Sequence, residues 1–316
     1  MTADEPAQTL AGLGEFAVID RLVTGRGQPS AVTLGPGDDA AVLSGATVVT
    51  TDMLVEGRHF RLDWSTPYQV GRKAIAQNAA DIEAMGARTT AFVVAFGAPA
   101  ETRVDDALAL ADGLWHEAGA LGAGIVGGDL VRAPQWVISV TALGDLDGRQ
   151  PVRRAGARVG DTVAVVGELG RSAAGYALWD SEIHHFEHLR HRHVVPEPPY
   201  GQGRAAAEAG AGAMTDVSDG LLADLGHIAA ASGVGIDLTA AGLAADRAAV
   251  ADAAAAVGAD PLAWVLGGGE DHALVATFAG TPPAGWRVIG TVVDGPARVT
   301  LDGAAWRGNP GWQSFD

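Results

Sequence analysis

Six aspartates sit where a carboxylate needs a reason. Asp39 closes the turn Gly35-Pro36-Gly37-Asp38, Asp52 follows the β-branched run 47–51, and Asp129 follows Gly127-Gly128. Asp216 and Asp219 bracket Val217-Ser218 ahead of a helical stretch, and Asp81 falls on a helix face shared with Val70, Ala74, Asn78 and Met85. An ionised carboxylate facing a core is costly unless it is paired or coordinated. Asp81 has only neutral Gln77 and Met85 at its best intrahelical partner positions. Several carboxylates in one cleft repel and raise one another's pKa. Hard divalent cations remove that repulsion, and Mg²⁺ takes carboxylate and phosphate oxygens together. Such a set suits metal-assisted phosphoryl transfer from ATP. Taken singly, the same residues read as turn and cap residues: Ser218 can cap the helix starting at Gly220, and Gly127-Gly128 can be a tight turn.

The elements that must position these residues alternate between strand and helix. Residues 47–51 form a β-branched strand delivering Asp52, and Met53 to Phe60 is a loop carrying His59. Ser65-Thr66-Pro67 is a helix entry, with a hydroxyl cap and proline in the first turn, and the helix runs to about Met85. An apolar strand over 89–96, a helix over 104–118 and a strand over 136–144 follow. A polar turn near residue 148 separates two units, 1–148 and 149–316. The second opens with a strand over 162–166 and a helix to about Trp179; 181–203 is irregular and rich in His and Pro. A short strand, 213–215, delivers Asp216, a helix covers 220–231, and strands near 273–278 and 287–293 complete a mixed α/β pattern. A short helix is also expected over 15–22.

Composition excludes several classes. The formal charge of −17 opposes a nucleic-acid surface, which needs clustered positive charge. No apolar run approaches the ~20 residues of a membrane helix, and the first 13 residues carry no basic start or hydrophobic core of a secretory signal. Cysteine is absent, which removes disulfides and thiolate sites and fits a cytoplasmic protein. Lys73, the only lysine, is followed by Ala74, so the Gly-Lys-Ser/Thr phosphate loop is missing. Any ATP site must rest on arginines, backbone amides and cations. His184, His185, His188, His191 and His193 cluster, and a helix through His184 and His188 would put both on one face; they read as surface histidines.

Together the motifs resemble the thiamine-monophosphate kinase family. The resemblance rests on Gly14-Glu15-Phe16, Gly37-Asp38-Asp39-Ala40-Ala41-Val42-Leu43, Thr50-Thr51-Asp52 through His59-Phe60, Gly71-Arg72-Lys73-Ala74 with Asn78, and Asp81-Ile82-Glu83-Ala84-Met85-Gly86-Ala87. It continues in Gly127-Gly128-Asp129, Arg154-Ala155-Gly156, Gly160-Asp161, Gly167-Glu168-Leu169-Gly170, Asp216-Val217-Ser218-Asp219-Gly220, Gly268-Gly269-Glu270-Asp271, and Gly311-Trp312 with Phe315. The family lies within a wider ATP-binding superfamily that includes aminoimidazole ribonucleotide synthetase.

That resemblance implies a two-domain α/β (mixed α+β) fold, aminoimidazole ribonucleotide synthetase-like. Its amino-terminal domain, 1–148, would bind ATP and metal and form a β-barrel across a homodimer. Its carboxy-terminal α/β domain, 149–316, would complete the active site. The implied reaction is ATP-dependent phosphorylation of thiamine monophosphate to thiamine diphosphate, the final step in making that cofactor, with several Mg²⁺ ions. Carried over by motif, Asp39, Thr50, Thr51, Asp52, Asp81, Asp129, Asp216 and Asp219 are the metal ligands, Thr50 through its backbone oxygen. Gly128, Arg154 and Ser218 contact ATP; His59, Glu270 and Trp312 contact thiamine monophosphate; Asp81, Asp129, Arg154 and Asp219 carry catalysis. Three departures stand out: Leu130-Val131 replace two hydroxyl residues, His272 replaces a tyrosine, and Tyr200 replaces an arginine after Pro199. A sister superfamily enzyme and a non-catalytic nucleotide-binding scaffold are the rival readings.

Overall fold

The computed structural model describes residues 32–34 and 37–312. The helix expected over 15–22, Gly14-Glu15-Phe16, Gly35-Pro36 and Phe315 lie outside them. The first unit comprises β1 (Val32–Leu34), β2 (Ala41–Leu43), β3 (Thr47–Val55), α1 (Pro67–Ala84), β4 (Arg88–Ala98), α2 (Val104–Ala120), β5 (Gly124–Arg132) and β6 (Val137–Asp145). The second comprises β7 (Thr162–Val166), α3 (Arg171–Asp180), α4 (Glu187–Val194), α5 (Gln202–Glu208), β8 (Ala211–Asp216), α6 (Leu221–Ser232), β9 (Gly235–Leu238), α7 (Ala244–Val257), α8 (Pro261–Gly267), β10 (Leu274–Phe278), β11 (Arg287–Val293) and β12 (Val299–Leu301).

Two six-stranded sheets result, ordered β1-β2-β3-β6-β4-β5 and β12-β9-β11-β7-β10-β8. The two-domain α/β architecture stands, but the expected barrel is corrected. Neither sheet closes on itself among the described residues; each ends in an edge strand. Closing a sheet requires its first and last strands to pair at a consistent stagger. Here the outer strands of the first sheet, three-residue β1 and nine-residue β5, lie at opposite edges and are unequal in length.

Helix α1 is the element both units share. Thr66 caps it: its hydroxyl accepts from the Gln69 amide and the Gln69 side chain accepts from the Thr66 amide, with Pro67 in the first turn. It packs on β3, β6 and α2 in its own unit and on β8 and β10 of the other. Being enclosed, it buries polar residues as well as apolar ones: Lys73, Gln77, Asn78 and Glu83 accompany Val70, Ile75 and Ile82. Its crossing with α2 is close enough to require glycine: a Cβ on Gly71 would sit 2.2 Å from the Leu110 carbonyl, and one on Gly113 would sit 2.0 Å from that of Tyr68.

Each unit has its own apolar core, one around Ile75, Ile82, Phe92 and Ile138, the other around Val165, Leu178, Leu225 and Val275. A third patch, including Ala84, Val152, Met214 and Phe278, joins them. Polar contacts cross the same seam. Glu83 accepts from the Gly201 and Gly203 amides at 2.9 and 3.0 Å, and the Tyr200 hydroxyl donates to Glu117 at 2.8 Å. Among the described residues, no helix is long and apolar enough to cross a membrane.

Candidate active site

Strand β3 and helix α1 present the first half of the site. Residues two apart on a strand share a face, so Thr50 and Asp52 point towards α1. The Thr50 hydroxyl donates to Asp81 Oδ2 at 2.7 Å, with the Asp39 carbonyl oxygen 3.2 Å away. The Asp52 amide donates to Asn78 Oδ1 at 2.9 Å, and Gln77 Nε2 donates to Asp52 Oδ2 at 3.1 Å. Thr51 takes the opposite face, where its hydroxyl donates to the Val140 carbonyl at 2.9 Å. The pleat therefore turns the Thr51 side chain away from the aspartates.

Asp39, Asp81 and Asp216 converge, each offering a carboxylate oxygen within 4.8 Å of the others. Asp39 arrives from the turn before β2, Asp81 from the end of α1, and Asp216 from the end of β8. Arg154 fixes the first of these. Its Nε donates to Asp39 Oδ1 at 3.1 Å, its Nη2 donates to the same oxygen, and its backbone amide donates to Asp38 Oδ1 at 2.5 Å. The Thr215 hydroxyl adds a bond to Asp39 Oδ1 at 2.9 Å. Asp39 Oδ2 is buried and has no hydrogen-bond partner.

The electrostatics follow from this crowding. Burial pushes the Asp39 carboxyl up to about 6; Asp216 adds to the rise, while Arg154 and Thr215 oppose it. Asp81 is held well above the usual carboxylate range by burial and then by Asp52, Asp216 and Asp39. Asp52 is raised by burial, with His272 the largest opposing influence. Three converging carboxylates and one unpartnered buried oxygen fit a hard divalent cation, whose ligands are oxygens.

The other predicted acids lie differently. Asp129 is on exposed β5, where its Oδ1 accepts from the Leu130 amide at 2.9 Å; it is not one of the three that converge. Gly127-Gly128, for which a tight turn was the alternative reading, is continuous strand, and a Cβ on Gly128 would sit 2.1 Å from the Val94 carbonyl. Asp219 occupies the turn before α6, and its charge helps to raise the Asp224 carboxyl, after burial and Asp216.

The Ser218-Asp219 turn also carries the candidate substrate contacts. The Ser218 carbonyl accepts from the Glu270 amide at 2.6 Å, and the Asp219 carbonyl accepts from the Trp312 amide at 2.9 Å. Trp312 is exposed. Glu270 Oε1 lies 3.1 Å from Lys73 Nζ and Oε2 lies 3.5 Å from His193 Nδ1. Burial would raise the Glu270 carboxyl, but Lys73 and His193 outweigh it and hold the group below the ordinary glutamate range. Lys73 also donates to the His59 carbonyl at 2.8 Å. His59 Nδ1 accepts from the Val55 amide at 3.0 Å, which leaves the ring proton on Nε2.

Two family descriptions match the chain: "AIR synthase related protein, N-terminal domain" over residues 37–146 and the corresponding C-terminal domain over 158–302. The thiamine-monophosphate kinase of Mycobacterium tuberculosis is 71% identical over 310 residues, covering 97% of this chain and 93% of that one. The chain belongs to the thiamine-monophosphate kinase family. The family's enzyme from Corynebacterium glutamicum is 45% identical, over 97% of this chain and 95% of its own. Among solved structures, AaThiL complexed with AMPPCP and TMP superposes with a TM-score of 0.87 at 29% identity, covering 98% of this chain and all (100%) of that one.

Three residues that the geometry places in the site were given no site role from the sequence. Lys73 is 1% exposed and pairs with Glu270; its signal is a lone lysine inside an apolar helix. Asp224 Oδ2 accepts from the Asp219 and Gly220 amides at 3.1 and 3.0 Å, supplying the cap that Gly220 cannot; an acid in a first helical turn is its signal. His272 lies 2.9 Å through Nδ1 from Asp216 Oδ2. Burial lowers its ring pKa, but Asp216, with Glu270 and Asp52, more than offsets this for a net rise. The histidine cluster forms no metal group among the described residues. The helix there is Glu187–Val194, so it excludes His184, and His193 is buried against Ser172.

Proposed function

We propose that this chain phosphorylates thiamine monophosphate to thiamine diphosphate with ATP, by direct in-line transfer of the γ-phosphoryl group. The observation that carries the reading is Asp39 Oδ2, buried and unpartnered beside Asp81 and Asp216, in a chain 71% identical to a thiamine-monophosphate kinase. A terminal phosphate oxygen of thiamine monophosphate bonds to the γ-phosphorus as the bond to the β–γ bridging oxygen breaks, and ADP leaves. The attacking oxygen is already anionic, so no strong general base is needed. Repulsion between two anionic phosphates is the main obstacle.

Asp39, Asp81 and Asp216 would hold Mg²⁺, with Asp52 and the Thr50 carbonyl beside them and Asp129 and Asp219 as further ligands. Bound there, Mg²⁺ supplies charge neutralisation at the transferring phosphoryl group. Arg154, set by Asp38 and Asp39, adds fixed positive charge for ATP, with Ser218 and the Gly128 backbone completing its contacts. Glu270, His59 and Trp312 would hold thiamine monophosphate, a role supported for Glu270 and Trp312 by their shared Ser218-Asp219 anchor and for His59 by Lys73, which bonds both its carbonyl and Glu270. The complex of AaThiL with AMPPCP and TMP supports both ligands. A boundary near residue 148 is supported by the change of sheet between β6 and β7. Two copies would pair, supported by exposed Val126, Leu130 and Val131 on the edge strand β5.

Incubation with ATP, Mg²⁺ and thiamine monophosphate tests the reading: thiamine diphosphate and ADP form in equal amounts. ATP binding without product across a range of divalent metals would make the chain a nucleotide-binding scaffold instead.

A further inference from the structure

Each converging carboxylate has its own holder. Asp39 is gripped by Arg154 and Thr215, and Asp81 accepts from Thr50. Asp216 is held by His272, at 2.9 Å, and no other hydrogen bond to that carboxylate is made among the described residues. An ionised carboxylate only accepts, so Nδ1 carries the donated proton.

The backbone is arranged to make this contact. His272 has φ +52° and Glu270 has φ +62°, both left-handed, which is uncommon outside glycine and concentrates at functional sites. The His272 amide donates to the Val217 carbonyl at 2.8 Å, and the Val217 amide donates to the Ala273 carbonyl at 2.8 Å. These two bonds stitch the 268–273 loop to the residue directly after Asp216. His272 is 4% exposed and Asp216 2%, so water is a poor substitute donor.

We propose that His272 is a positioning residue for the cation: its Nδ1–H fixes the Asp216 carboxylate so that the unbonded oxygen faces Asp39 and Asp81. The inference rests on the reading of that cluster as a Mg²⁺ site. A hydrogen bond to a ligating carboxylate sets its orientation, and losing such a bond typically costs 10–100-fold in metal affinity.

The test compares the full chain with His272→Gly and His272→Asn. Glycine removes the donor and accepts a left-handed backbone; asparagine accepts it too and keeps an amide donor near the Nδ1 position. Thermal unfolding is followed across a MgCl₂ titration with an unreactive ATP analogue held constant, and again without metal. His272→Gly should move the Mg²⁺ midpoint about 10–100-fold higher, and His272→Asn should recover most of that loss. An unchanged Mg²⁺ midpoint in His272→Gly, with only the metal-free melting temperature lowered, would make His272 a packing residue. Equal weakening in both variants would also overturn the hydrogen-bond role. A wild-type protein that Mg²⁺ does not stabilise would overturn the cation-site reading itself, before either variant is compared.

Discussion

Lys73 Nζ lies 3.1 Å from Glu270 Oε1, joining the middle of α1 to the loop that precedes β10. The ammonium also donates to the carbonyls of His59 and His193, at 2.8 and 3.3 Å, so its three protons reach three separate segments. Lys73→Met would leave a carboxylate and two carbonyls without that donor. Removing one partner of a buried pair costs about 3–5 kcal/mol. Glu270 is about one-third exposed (32%), so a loss of roughly 1–3 kcal/mol is expected after solvent screening. Urea unfolding measures it. The KM for thiamine monophosphate should rise more than that for ATP.

Asp81→Asn keeps the size of the side chain and an acceptor for the Thr50 hydroxyl while removing the charge. Turnover should fall by about 10²-fold or more, the scale for losing an electrostatic clamp on a transferring group. Stability without metal at pH 8 should hold or rise, because Asp39, Asp52 and Asp216 lose a like-charged neighbour. A marked drop in metal-free melting temperature with normal Mg²⁺ dependence would assign Asp81 to structure alone.

Asp271, which is not one of the three converging acids, sets a pH dependence of its own. Its carboxylate accepts from the Gly170 and Ser172 amides at 2.5 and 2.8 Å, capping α3. Burial nevertheless raises its pKa from 3.8 to about 7. The folded state therefore binds this proton more tightly than the unfolded chain does. The resulting stabilisation is complete below the unfolded value of 3.8 and is lost as pH rises towards 7. Asp271→Asn should flatten this component, so the wild-type-minus-variant stability difference should decline between pH 4 and 7. A difference that stays level across that range, measured by chemical unfolding, would refute the shift.

Trp312→Ala separates the organic substrate from ATP. The indole is 56% exposed, so little folding stability depends on it. Its removal should weaken thiamine monophosphate by roughly 1–3 kcal/mol, the scale of an aromatic stacking contact, and ATP far less. Steady-state kinetics with each substrate varied at saturation of the other measures both. Equal losses together with a lower melting temperature would make Trp312 a packing residue.

Local chemistry made much of this legible. Thr66-Pro67 marks the start of α1, and the placement of Asp81 on an apolar face foretells its shifted pKa. Strand alternation was the weak point: Thr50 and Thr51 are adjacent in the motif, yet the pleat sends their hydroxyls to opposite faces. Helix α7 was hidden because its alanines resemble compositional bias, and α4 because proline and histidine mask a short helical period. The holders of the acids were also obscure. Arg154 lies 115 residues from Asp39 and His272 lies 56 from Asp216, distances at which only tertiary structure defines a neighbour.

Lys73, Gln77 and Asp81 are spaced four residues apart along α1 and meet Glu270, Asp52 and the converging acids in turn. The helix therefore acts as a ruler. Eight residues at about 1.5 Å each set positions 73 and 81 about 12 Å apart along the axis. A loop could absorb a change in length; this segment cannot. One inserted residue between positions 73 and 81 would twist one end against the other by about 100° and lengthen the span by about 1.5 Å. Deletions would do the reverse, so this stretch should tolerate many substitutions of side chain before it tolerates a single change in count.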